Sequence, residues 1–116
     1  MLKRALVLLA FFALPSAAQT IRVSIDATDA PRKIFHSHLS VPATPGPMRL
    51  AYAKWLPGEH GPTGPVADLV NLRVAANGQP VEWRRDPRDM YVFHVDAPRG
   101  AGTLEVDLSY ITPTGE

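Results

Sequence analysis

Apolar and polar residues alternate with a period of two along most of this chain. From Thr20 to Asp26, Ile21, Val23 and Ile25 fall on one side and Arg22, Ser24 and Asp26 on the other, the pattern of a strand with one face buried. The period resumes from Lys33 to Val41, with Phe35, Leu39 and Val41 on one face and His36 and His38 together on the other. Met48 to Trp55 is apolar on both faces, which predicts a central strand covered on two sides. Asp68 to Val74 aligns Val70, Leu72 and Val74; Asn77-Gly78 then turns the chain into a partner strand, Val81 to Arg85. Asn and Gly tolerate the positive φ that a two-residue hairpin turn requires at both central positions. Tyr91, Phe93 and Val95 mark another strand, and Leu104, Val106, Leu108 and Tyr110 a last one.

The turns between these strands are written in Pro, Gly and Asp: Asp29–Arg32, Pro42–Pro47, Asp86–Asp89 and Pro98-Arg99-Gly100. No window of ten or more residues after the first eighteen carries a helical period. The expected fold is therefore all-β, an antiparallel sandwich-like domain of about seven short strands. Its densest Pro and Gly run is Trp55-Leu56-Pro57-Gly58-Glu59-His60-Gly61-Pro62-Thr63-Gly64-Pro65. Proline fixes φ and lacks an N–H, and glycine admits positive φ, so this stretch forms a shaped loop rather than helix or sheet. A loop of that length leaving a rigid strand is a place where function concentrates.

The first eighteen residues read as a leader. Lys3 and Arg4 precede an apolar run, Ala5 to Leu14, and Ser16-Ala17-Ala18 supplies the small residues of a cleavage site. The run stops at Pro15, short of the roughly 20 apolar residues that span a bilayer. Cleavage after Ala18 would leave residues 19–116 as one exported domain, periplasmic or secreted, without a stable membrane anchor. The 116-residue chain has 12 Lys plus Arg against 11 Asp plus Glu, a formal charge of +1 that becomes −1 without Lys3 and Arg4. A nucleic-acid partner would need a clear basic excess. With no Cys, neither a disulfide nor a lipidated cysteine contributes to the exported part.

Candidate chemistry is sparse. His36 and His38 have the spacing of a two-His ligand pair, but a metal site needs further ligands that their sequence neighbours lack; two solvent-facing or interface-facing histidines are the plainer expectation. Glu59-His60 resembles the end of a His-x-x-Glu-His motif, yet position 56 is Leu and Pro57-Gly58 would break the helix that motif needs. Ser24, Ser37, Ser40 and Ser109 all fall on predicted strands, with no Gly-x-Ser-x-Gly elbow to present a nucleophile. Glu105 and Asp107 share a strand face and read as solvated surface. Trp55, Trp83 and Tyr52 are expected to serve the core rather than a sugar-stacking platform. Asp86 beside Arg84 and Arg85 offers an exposed pair across a turn, a weak interaction.

Taken together, Trp55-Leu56-Pro57-Gly58-Glu59-His60, the hairpin at Asn77-Gly78-Gln79-Pro80, Trp83-Arg84-Arg85-Asp86 and Met90-Tyr91-Val92-Phe93 resemble the N-terminal domain of the glycyl aminopeptidase family of zinc metallopeptidases. The resemblance runs from about Thr20 to Tyr110. It implies an N-terminal β domain followed by a helical zinc domain with a His-Glu-x-x-His motif and often a PDZ domain. Only the first is in this sequence, so the resemblance transfers no catalytic, cofactor-binding or metal-ligating residue, and it places zinc in a domain outside the chain. The chain departs from many members at His60, where they carry an aromatic residue, and after it, where Gly61-Pro62-Thr63-Gly64-Pro65 replaces a charged stretch.

The expectation is a non-catalytic N-terminal β domain, a fragment of a longer exported zinc aminopeptidase-like protein. Its partner would be the downstream catalytic domain, whose peptide-substrate cleft it would help to shape. Trp55, Pro57, Gly58, Glu59 and His60 are the candidate interface or substrate-facing loop. The alternative is a free-standing exported module that binds a peptide or glycan through the Trp55 to Pro65 loop or the Trp55 and Trp83 rings.

Overall fold

The computed structural model describes residues 19–113; the leader expected at residues 1–18 lies outside them. Eight strands, all paired antiparallel, form two sheets. They are β1 (Arg22–Asp26), β2 (Ile34–Pro42), β3 (Gly46–Ala51), β4 (Leu69–Ala76), β5 (Gln79–Val81), β6 (Trp83–Arg85), β7 (Val92–Ala97) and β8 (Thr103–Ile111). One sheet runs β1-β2-β8-β4-β5 and the other β3-β7-β6.

The two-residue period becomes two faces across the larger sheet. In register, Val23, Leu39, Val106, Val74 and Val81 form one apolar row through all five strands. The next row on the opposite face is Ser24, His38, Asp107 and Arg73. The apolar rows pack on Val95 and Ala97 of β7 and on Met48 and Leu50 of β3. Leu104 at the centre of this layer is completely buried, a burial that contributes about 1.5–3 kcal/mol. A second cluster, Val66, Tyr91 and Phe93, packs with Leu50, Tyr52 and Leu72 beneath the long loop.

Two local irregularities set this arrangement. A bulge in β4 between Val70 and Arg73 inserts a residue relative to β8, with Asn71 at φ 56°. The extra residue turns Leu72 inward and Arg73 outward. The Asn77-Gly78 turn has positive φ at both positions, 50° and 75°, as the hairpin reading requires.

The structure corrects three strand expectations. Val70, opposite Ser109 on the polar face, does not share a face with Leu72 and Val74. Met48 to Trp55 is not a central strand: β3 ends at Ala51 and lies at the edge of the three-stranded sheet. Its alternate positions Arg49, Ala51, Ala53 and Trp55 are exposed, so the stretch is covered on one side only. Val81 to Arg85 is not one strand either, because the chain leaves the larger sheet after Val81 and joins the smaller at Trp83. That crossover at Glu82 accounts for eight strands where seven were expected.

Candidate functional site

The loop after β3 is built from its feet upward. Gly64 donates its N–H to the Lys54 carbonyl at 3.0 Å, and a Cβ at position 64 would sit 1.8 Å from the Ala53 oxygen. Only glycine permits that approach of two backbones. The Tyr91 hydroxyl donates to the Pro62 carbonyl at 2.7 Å, while Lys54 reaches Asp89 at 3.3 Å and lies 5.5 Å from the centre of the Tyr91 ring.

On this base stands a tight turn. Glu59 N–H bonds the Leu56 carbonyl at 3.1 Å, and Gly58 has φ 87°, so Leu56–Glu59 is a type II turn with Pro57 and Gly58 in the positions that turn favours. Trp55 at its start is 63% exposed, and Pro57, Gly58, Glu59 and His60 are all exposed. The five candidate residues are therefore all exposed, in or beside this turn, and the expectation that Trp55 belongs to the core is corrected. Trp55 packs against neither of the two buried clusters.

Trp83 behaves differently. It is 38% exposed, donates its indole N–H to the Leu72 carbonyl at 3.0 Å and meets the Phe93 ring edge-on at 5.5 Å. The Arg85 guanidinium lies 5.0 Å from the centre of the same Phe93 ring. Trp83 is thus a fixed structural plug at the β6 margin, which separates it in role from Trp55. Arg85 is engaged there and not with Asp86. Asp86 instead takes the backbone N–H groups of Arg88 and Asp89 at 2.8 and 2.9 Å and pairs with His94 at 2.7 Å. The His94 hydrogen bond, helped by the two backbone donors, holds the Asp86 carboxyl far below the usual carboxylate range.

The outer face of the larger sheet supplies carboxylates that no sequence neighbour of the histidines could. His38 Nδ1 lies 2.7 Å from Asp107 and its Nε2 3.0 Å from Glu105, both on β8. The Asp107 hydrogen bond, then the charge of both carboxylates, raises the His38 pKa. His36 bonds the buried Ser109 hydroxyl at 2.9 Å and Asp29 at 3.0 Å. Both rings spend their two nitrogens on these partners, so they are not arranged as ligands. Among the described residues, no group of three or more His, Cys, Asp or Glu is placed to hold a metal ion. The residues present do not fit a zinc site, and no zinc chemistry is assigned to them.

Between the sheets, on the side of β1 and β3, lies an open groove of about 460 Å³. Leu39, Leu72, Phe93, Val106 and Leu108 line it, with Ile21 and Val23 on the β1 side and Leu50, Tyr52 and Ala53 on the β3 side. The sequence pattern named these residues as apolar, but gave no sign that the opposing sheet stops short of them.

This paired-sheet geometry has known counterparts. The Peptidase M61 N-terminal domain profile matches residues 22–115. The chain belongs to that family. A solved aminopeptidase N family protein from Idiomarina loihiensis shares the fold of this M61 N-terminal domain, with a TM-score of 0.70 and 16% sequence identity over 82% of the chain. The chain spans 16% of the length of that structure. No match is found among curated proteins. Among the described residues, no helix is long and apolar enough to cross a membrane.

Proposed function

We propose that this M61 N-terminal domain is the non-catalytic β domain of an exported zinc aminopeptidase-like protein, and that it packs on a zinc catalytic domain outside this chain. The family match over residues 22–115 carries the reading. Two features support where the contact lies: the exposed Trp55 on a turn tied down at both feet, and the apolar groove that opens beside Tyr52 and Ala53. A rigid aromatic anchor beside apolar surface is the composition that domain interfaces favour. In this reading the Leu56–Glu59 turn borders the substrate cleft and Glu59 and His60 face the peptide.

The test uses the longer protein. A photo-crosslinking residue at position 55 is expected to join the turn to a peptide of the downstream domain, and the frame beyond Glu116 is expected to contain His-Glu-x-x-His. A downstream frame without that motif, or crosslinks confined to residues 19–113, rejects the proposal. The exposed Trp55 also suits a free-standing peptide- or glycan-binding module. That reading requires saturable quenching of Trp55 fluorescence by a ligand in the isolated chain, lost in Trp55→Phe.

A further inference from the structure

Strand β1 forms one edge of the larger sheet, so among the described residues the backbone N–H and C=O groups along its outer side have no partner strand. Natural edges are blunted by proline, bulges, or charges turned into the core. β1 contains no proline, and it pairs with β2 without interruption from Arg22 opposite Ser40 to Asp26 opposite His36. Its charged residues, Arg22 and Asp26, lie on the polar face. The core-facing side chains Ile21, Val23 and Ile25 remain 57%, 58% and 64% exposed.

We propose that β1 pairs antiparallel with β1 of a second copy of this chain, about a two-fold axis through Ser24. Side chains alternate between faces, so apolar residues meet apolar ones only in registers centred on a residue. Centring on Ser24 sets Val23 opposite the second copy's Ile25 on the apolar face. It also sets Arg22 opposite the second copy's Asp26, and Asp26 opposite the second copy's Arg22, on the polar face. Directly opposed residues of an antiparallel pair have Cβ atoms about 4.5–5.5 Å apart, within ion-pair reach. A register centred on Val23 or on Ile25 instead puts Ser24 opposite Arg22 or Asp26 and leaves the opposite charges unmatched. The sequence Arg22-Val23-Ser24-Ile25-Asp26 is therefore complementary to its own reverse in both hydropathy and charge, the property an isologous contact requires. Pairing in the plane of the sheet involves neither Trp55 nor the Leu56–Glu59 turn, although Ile21 and Val23 also line the groove beside Tyr52 and Ala53.

Sedimentation velocity on the intact chain, from micromolar to millimolar concentration, tests this directly. A reversible monomer–dimer equilibrium is expected. Arg22→Asp or Asp26→Arg alone creates two like-charge pairs and should weaken dimerisation about tenfold. The double reversal Arg22→Asp with Asp26→Arg should restore it, which a merely unfolded variant could not do. A chain that stays monomeric, a dimer indifferent to the single reversals, or one that the double reversal fails to rescue overturns the proposal. A monomeric longer protein whose own downstream chain covers β1 overturns it too.

Discussion

The two margins of the sandwich are finished in different ways. At the β5–β6 margin the chain itself passes from one sheet to the other at Glu82, and Trp83 closes the gap by bonding Leu72 on the opposite sheet while its ring packs on Phe93. At the β1–β3 margin five strands face three, so the apolar row continues past its cover and a groove remains. The same alternating code produced both. What distinguishes them is whether a strand lies opposite, and a large aromatic at one margin does for the fold what a further molecule or domain would have to do at the other. Apolar side chains contribute to stability only where they leave water, so the sealed margin should matter for folding and the open one for association.

That contrast can be broken experimentally. The largest effect is expected at the layer both margins share: Leu104→Ala should cost about 2–5 kcal/mol in urea unfolding, the range for deleting a buried leucine side chain. Next, Trp83→Ala at the sealed margin should cost about 1–3 kcal/mol, less than a fully buried aromatic because the ring is partly exposed. Ile25→Ser at the open margin should stay within about 0.5 kcal/mol for the dilute monomer, as exposed substitutions do. Equal costs for Trp83→Ala and Ile25→Ser would erase the distinction between the margins.

The smallest effect concerns pH. Because the pKa of His38 is raised in the folded chain, its pairing with Asp107 and Glu105 contributes fully below the unfolded-state value of about 6.5. The contribution fades as pH rises through the raised folded value. His38→Gln should flatten the dependence of the melting temperature across that window. Asp86 has the opposite sign: its depressed pKa contributes above the unfolded value of about 3.9 and is lost only in stronger acid. An unchanged profile in His38→Gln would show that the pair does not couple to folding.

Much of the fold was legible because its signals are local. Alternation located β1, β2, β7 and β8, and Asn77-Gly78 set the hairpin through the φ values those residues accept. Leu56–Glu59 could be anticipated as a loop from Pro57 and Gly58, and the structure adds the exposure of Trp55. Features that depend on distant partners were not legible. Met48 to Ala51 looks the same whether a strand pairs with its outer edge or not. Residues 81–85 give no sign of changing sheets, because Glu82 carries neither Gly nor Pro to mark the crossover. His38 meets Asp107 only through the β2–β8 register, which no window around position 38 contains.

The clasp between Lys54 and Gly64 separates the loop from the sheets that carry it. Since those two residues already meet through a backbone hydrogen bond, everything from position 55 to 63 is a detour that begins and ends at nearly the same point. Lengthening such a detour adds only a slowly growing closure entropy and leaves both sheets untouched. Residues 55–63 can therefore change in length without disturbing either sheet, provided Gly64, which lets the two backbones touch, is kept.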